Sequence, residues 1–269
     1  MAVVVLYASG ITLMLYPAAS NLLNRERNMK IISAYEENLG TAGEEELAEM
    51  METADAYNRD HRRNYVIDAF TESGGHLSSE DYNSFLDLKG DGVMGYLDIP
   101  GIGVMLAVYH GTDPEVLGKG AGHVEGTSLP VGGESTHSVI AAHRGLPQAK
   151  LFTDLDRMKT GDLFYVHVLN RTLAYRVEQI ITVDPDDIDA LKIEEGRDLL
   201  TLLTCTPYGV NTKRLLVRGE RVPYEEQISE SSVFRRGRPP YIELLITSLT
   251  AVMLITAIAV RKSRRCNNV

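Results

Sequence analysis

Cys205 ends an apolar run, Asp198-Leu-Leu-Thr-Leu-Leu-Thr-Cys205, after which Thr206-Pro207-Tyr208-Gly209 turns the chain away. A thiol delivered to the end of a strand is fixed in place yet open to a substrate, which a nucleophile requires. On this local pattern alone, a buried structural cysteine fits equally well. His143 ends a second such run, Ser138-Val-Ile-Ala-Ala-His143, before Arg144-Gly145-Leu146-Pro147. Its imidazole can act as general acid toward a leaving amine and later as base, although a lone histidine is more often an ordinary surface or core residue. Arg214 opens a third run, 214 − 205 = 9 residues beyond the cysteine. If the two runs are antiparallel neighbours, its guanidinium lies near the thiol and can stabilise a thiolate or the oxyanion of a tetrahedral intermediate. With Arg218 and Arg221 on the same stretch, a plain surface arginine is the alternative. Nucleophile, proton carrier and oxyanion holder together describe acyl transfer.

The elements that would position these residues differ along the chain. Residues 21 to about 70 have a helical pattern, with Leu22, Leu23, Ile31, Ile32, Tyr35, Leu47, Met50 and Met51 at helix-like spacing and Glu44, Glu45, Glu46 and Glu49 on a solvated face. Residues 71–90 are rich in turn formers and predict a loop and a short helix. From Val93 short apolar runs alternate with Gly, Pro and Asp. These predict strands at 93–99, 102–109, 138–143, 163–169, 172–183, 198–204 and 213–221, with helical turns at 114–119 and 149–158. Many short strands and few long helices suggest a closed or nearly closed antiparallel barrel.

Both ends are apolar. Leu244–Val260 is an uncharged run of 17 residues followed at once by Arg261, Lys262, Arg264 and Arg265. At about 25 Å it nearly spans a bilayer core, and Tyr241 and Ile242 can extend it. The basic residues after it predict a cytoplasmic tail. The first 20 residues are also uncharged and read as a signal anchor or a signal peptide. With 27 Lys and Arg against 37 Asp and Glu the net charge is −10, and without the four basic tail residues it is 23 − 37 = −14. Such acidity argues against nucleic-acid binding and fits a domain held outside a membrane. Two cysteines, Cys205 and Cys266, exclude a disulfide framework and a cysteine-rich zinc site.

These residues carry a resemblance to the sortases, the cysteine transpeptidases of Gram-positive bacteria. TLLTC at 201–205 resembles the TLxTC signature, and the order His143, Cys205, Arg214 matches the family's triad. Residues 123–168 and GVMGYLDIPGIGV at 92–104 are similar to class C, the pilin-polymerising group. The resemblance covers roughly residues 65–225 and the apolar ends, and implies a mainly β fold. That fold is an eight-stranded sortase-type closed β-barrel with an N-terminal helical extension, a lid loop and terminal transmembrane helices. The implied segments are 1–20 hydrophobic, 21–90 helical extension with lid, 91–225 catalytic barrel, 226–240 linker, 241–260 transmembrane helix and 261–269 cytoplasmic tail. The lid would be Asp68-Ala69-Phe70, with Asp68 on the arginine and Phe70 on the cysteine; Ala69 departs from the family's proline, leaving φ less fixed.

The resemblance further implies catalysis by Cys205, His143 and Arg214, with Thr204 helping to place the substrate. The substrate would be an LPXTG-type sorting signal on a pilin, and the acceptor a pilin lysine. Its setting would be an integral membrane protein with an extracellular catalytic domain, with no nucleic-acid partner and no cofactor or metal. Attachment to peptidoglycan, or a non-catalytic membrane-anchored surface protein, are the alternatives. Papain-like enzymes place cysteine before histidine, and caspases carry a Gln-Ala-Cys signature that is absent here. Asp87-Leu-Lys-Gly-Asp91-Gly92, with Asp98 at its twelfth position, opens like a calcium loop. Lys89 and the missing final Glu favour a turn. Asn170-Arg-Thr172 matches a glycosylation sequon that a turn between strands explains.

Overall fold

The computed structural model describes residues 2–60, 69–70, 80–147 and 149–224. Asp68, the linker 226–240, the expected span 241–260 and the tail with Cys266 lie outside the described residues. The chain divides into two compact units, Met1–Ser232 and Val233–Val269.

Within the first unit, α1 (Ala2–Thr41), α2 (Glu44–Asp60) and α3 (Glu80–Ser84) precede eight strands. These are β1 (Val93–Ile99), β2 (Val104–His110), β3 (Ala121–His123), β4 (Thr136–Ala141), β5 (Leu163–Val168), β6 (Arg171–Val183), β7 (Asp198–Thr206) and β8 (Lys213–Val222), with α4 (Pro114–Lys119) between β2 and β3. They form a closed barrel in the order β1-β2-β3-β4-β7-β8-β6-β5, which leaves no unpaired edge.

The barrel is mixed where the strand pattern suggests an antiparallel one. β2 pairs β3 in parallel, and β4 pairs β7 in parallel. Strand runs of alternating residues look alike in either direction, so the sequence pattern cannot distinguish them. The three-residue β3 is too short to show alternation at all. The predicted start at 102 moves to Val104, because Pro100–Ile102 forms a 3-10 turn closed by Gly103 at φ 61°. Of the predicted turn at 149–158, only Leu155–Arg157 is helical, as a 3-10 turn.

Alternation sorts the side chains. Leu97, Ile99, Ile140, Val166, Val168, Leu200, Leu202, Leu215 and Val217 fill the barrel interior. Leu47, Met51 and Ala54 of α2 pack into the same cluster. Buried Asn58 completes that contact by taking the Leu129 N–H at 2.7 Å and donating to its carbonyl at 3.1 Å. The helix α1 covers β1 and β2 from outside through Ile32 and Tyr35, which pack with Val93, Tyr96, Ala107 and Tyr109. Tyr35 Oη donates to Met94 O and accepts from Leu169 N–H, at 3.2 and 2.7 Å. Residues 2–20 form the first half of α1, and among the described residues no helix is long and apolar enough to cross a membrane. The calcium-like stretch is a turn: the Asp87 carboxylate accepts the N–H groups of Gly90, Asp91 and Gly92.

Asp98 sits on the outer face of β1, 7% exposed, and burial raises its pKa to about 6. A raised carboxyl pKa means the folded state favours the protonated form. The penalty of ionisation therefore grows between about pH 4 and pH 6 and stays in full above that. Asp98→Asn is expected to stabilise the fold at pH 7 by about 2 kcal/mol, with the gain vanishing below about pH 4. Thermal unfolding of both proteins across that range measures it; equal melting temperatures at pH 7 would refute it.

Candidate active site

The outer face of the β4–β7–β8–β6 wall carries a second apolar cluster. Val139 and Ala141 of β4, Leu203 of β7 and Leu216 of β8 join Val124, Leu117, Leu191 and Ala69, with Ile181, Val183, Ile188 and Phe70 packed against them. Period-two alternation extends this face beyond the cluster. Two residues past Leu203 is Cys205, two before Leu216 is Arg214, and two past Ala141 is His143.

Register brings the three together. Cys205 and Arg214 are directly opposed partners in the antiparallel β7–β8 ladder. The parallel β4–β7 ladder runs from Thr136↔Asp198 to Ala141↔Leu203, an offset of 203 − 141 = 62. Continued for two residues, that offset puts His143 level with Cys205. Cys205 and Arg214 are 7% and 8% exposed, and His143 is half-buried. Burial lowers the His143 pKa from its usual value. Arg214 Nη1 donates to the carbonyls of Asn211 and Lys213, both at 3.2 Å, which aims the guanidinium along the end of the strand.

Phe70 lies against two of the three. Its ring centroid is 5.6 Å from that of His143, and the Arg214 guanidinium stands 5.2 Å from the Phe70 centroid. Ala69 before it is buried and shares the lining of a groove with Val183, Ile188, Leu191, Leu203, Leu216 and Arg214, together with Asp184 and Asp187.

Thr204 does not line this groove. It falls on the opposite, interior side of β7, is fully buried, and donates its hydroxyl to Ala142 O at 2.7 Å. Its hydrogen is thus committed within the fold, and the expected substrate contact gives way to a tie between β7 and β4.

Sequence patterning gives no sign of the residues that hold the groove wall. His137, fully buried on the outer face of β4, bridges the 184–197 loop to β7: Nδ1 to Lys192 O and Nε2 to Thr201 Oγ1, both 2.8 Å. The carbonyl can only accept, so Nδ1 carries the proton and Nε2 accepts from the threonine. Burial lowers the His137 pKa to about 4, keeping that tautomer neutral at physiological pH. The first threonine of the TLLTC run thereby acquires a partner. Arg197 pairs with Glu178, Glu194 and Glu220, and Arg218 with Glu178 and Glu194, pinning the same loop to β6 and β8.

Among the described residues no cluster of His, Cys, Asp and Glu is placed to hold a metal ion. The arrangement offers a thiol, an imidazole and a guanidinium at the end of an apolar groove, a set suited to acyl transfer from a peptide.

Residues 97–222 match the Sortase domain family. Sortase A of Staphylococcus aureus is 34% identical over 124 residues, covering 45% of this chain and 58% of that protein. Sortase A of Bacillus anthracis is 29% identical over 144 residues, covering 54% of this chain and 66% of that one. The chain thus matches about three fifths of the length of these curated relatives. A crystal structure of Streptococcus pneumoniae sortase C, concerned with catalysis and pilin substrate specificity, is 45% identical with a TM-score of 0.66, covering 72% of this chain and 97% of that one. Sortase C-1 from Actinomyces oris is 47% identical with a TM-score of 0.63, covering 66% and 99%.

Proposed function

As the chain belongs to the sortase family of cysteine transpeptidases, within its class C branch, we propose that it cleaves an LPXTG-type sorting signal on a pilin and joins it to a lysine of the next pilin. The observation that carries this reading is the convergence of Cys205, His143 and Arg214 on one face, at the end of the apolar groove.

The Cys205 sulfur attacks the Thr–Gly carbonyl carbon, and the oxyanion that forms is held by Arg214. With its pKa lowered by burial, His143 is uncharged at neutral pH. The proton it gives the departing glycine amine is then the one it takes from the thiol. C–N cleavage leaves a thioester on Cys205. A neutral lysine amine attacks that carbonyl, His143 accepts its proton, and the thiol leaves with a proton returned, giving an isopeptide bond. The apolar groove suits the Leu and Pro of the signal, and the resemblance to pilin-directed sortases supports the choice of acceptor. The enzyme would act at the cell surface, held there by the apolar run 244–260.

In the same reading Phe70, with Ala69, is a lid. The ring occupies the space between His143 and Arg214 where the scissile peptide must sit. Phe70→Ala is expected to raise the cleavage rate of a quenched LPXTG peptide several-fold, on the order of 1 kcal/mol of lost ring contact. An unchanged rate would discard the lid.

The test uses the full-length chain with an LPXTG peptide and a lysine-bearing pilin peptide, and mass spectrometry of the products. An amide between Thr and the lysine side chain, with glycine released, is expected. Cleavage without transfer to lysine, while a peptidoglycan stem peptide is accepted, would assign the enzyme to wall anchoring. No cleavage across several signal variants would reject the sorting-signal substrate.

A further inference from the structure

His143 and Cys205 stand where the backbone pairing of their strands stops. The last link is Ala142 N–H to Leu203 O at 3.1 Å. The His143 carbonyl has already turned away to accept from Phe152 N–H, also at 3.1 Å. Beyond this point side chains join the two strands. Thr204, just before Cys205, donates to the carbonyl of Ala142, just before His143, at 2.7 Å. Thr206, just after Cys205, accepts from Nη1 of Arg144, just after His143, at 3.2 Å. The two residues are bracketed by matched cross-links.

The Arg144 guanidinium is itself fixed. Nε donates to Thr153 O at 3.2 Å and Nη2 to the Asp156 carboxylate at 2.5 Å, with the side chain 8% exposed. Gly145 N–H donates to Thr153 Oγ1 at 3.3 Å, drawing the segment after His143 onto the same turn. Three partners in three directions suit a planar fork. A lysine ammonium at the end of a flexible stem would satisfy them poorly.

We infer that Arg144, through Thr206 on one side and Thr153 and Asp156 on the other, is the positioning residue that holds His143 in proton-transfer register with Cys205. This rests on the assignment of His143 and Cys205 as proton carrier and nucleophile. Arg144 acts through His143 and carries no chemical step itself. The demand for it is geometric. A proton passes between sulfur and imidazole only at hydrogen-bond distance, and an error of about 1 Å costs on the order of 10²-fold in rate.

The experiment compares full-length wild type with Thr206→Val, Thr206→Ser, Arg144→Lys and His143→Ala. It measures kcat and KM for the LPXTG peptide against pH, and the pH dependence of Cys205 alkylation by iodoacetamide. Thr206→Val and Arg144→Lys are expected to lower kcat by about 10- to 100-fold while KM stays within about twofold. Both should also displace the His143-dependent inflection in the alkylation profile. Thr206→Ser, which restores the hydroxyl acceptor, is expected to return kcat and the profile to wild type. If Thr206→Val and Arg144→Lys keep the wild-type kcat and profile while His143→Ala is inactive, the positioning role is overturned and the catalytic assignment survives. A lower melting temperature with unchanged kcat per folded molecule overturns it likewise, by making the contact merely structural. If His143→Ala itself cleaves as wild type does, the catalytic assignment fails and the inference fails with it.

Discussion

Cys205→Ala is expected to reduce cleavage of an LPXTG peptide by about 10⁴-fold or more, because Cys205 is the one thiol among the described residues. The fold should survive. Cys205 is on the outer face of β7, so the change removes one sulfur from the groove end and leaves the interior leucines untouched. Circular dichroism should therefore match wild type while cleavage disappears. Mass spectrometry of the wild-type enzyme with substrate should reveal an adduct of the signal peptide truncated at Thr, labile to hydroxylamine. Cleavage persisting in Cys205→Ala would end the transpeptidase mechanism for this site, whatever the fold.

Arg214→Lys retains the charge and removes the fork. The fall in kcat/KM is expected to be about 10²- to 10³-fold, the size of effect seen when an oxyanion donor is removed. It should appear in kcat with KM nearly unchanged, since the guanidinium is needed most when negative charge develops on the carbonyl oxygen. Arg214 now donates to Asn211 O and Lys213 O, so its orientation exists before substrate arrives. A rise in KM with kcat intact would instead make Arg214 a substrate-binding group.

Much of this site is legible in the sequence, for an identifiable reason. β7 is a largely apolar run with the cysteine next to its end, β8 carries Arg214 as its second residue, nine past that cysteine, and a short loop between such runs makes antiparallel neighbours. The Cys205–Arg214 opposition needs nothing more. The place of His143 does. It depends on β4 pairing β7 in parallel with an offset of 62, a relation between segments far apart in the chain that leaves no mark on either. The family resemblance supplies what local pattern cannot. Thr204 misleads because a residue beside a nucleophile in sequence lies on the opposite face of the strand. His137 and Arg144 escape a reading of the sequence because their roles come from partners 55 to 64 residues and 9 to 62 residues away.

The interleaving on β7 and β8 has a consequence for quality control in the cell. Leu200, Leu202, Leu215 and Val217 face inward, whereas Leu203, Cys205, Arg214 and Leu216 belong to the outer wall. A strand that docked one residue out of step would send the nucleophile and the guanidinium into the barrel and expose the leucines. Such a molecule would be inert and conspicuously greasy at once, the kind of surface that proteases and chaperones recognise. The same alternation that builds the active face thus couples correct strand register to the presence of the thiol on that face.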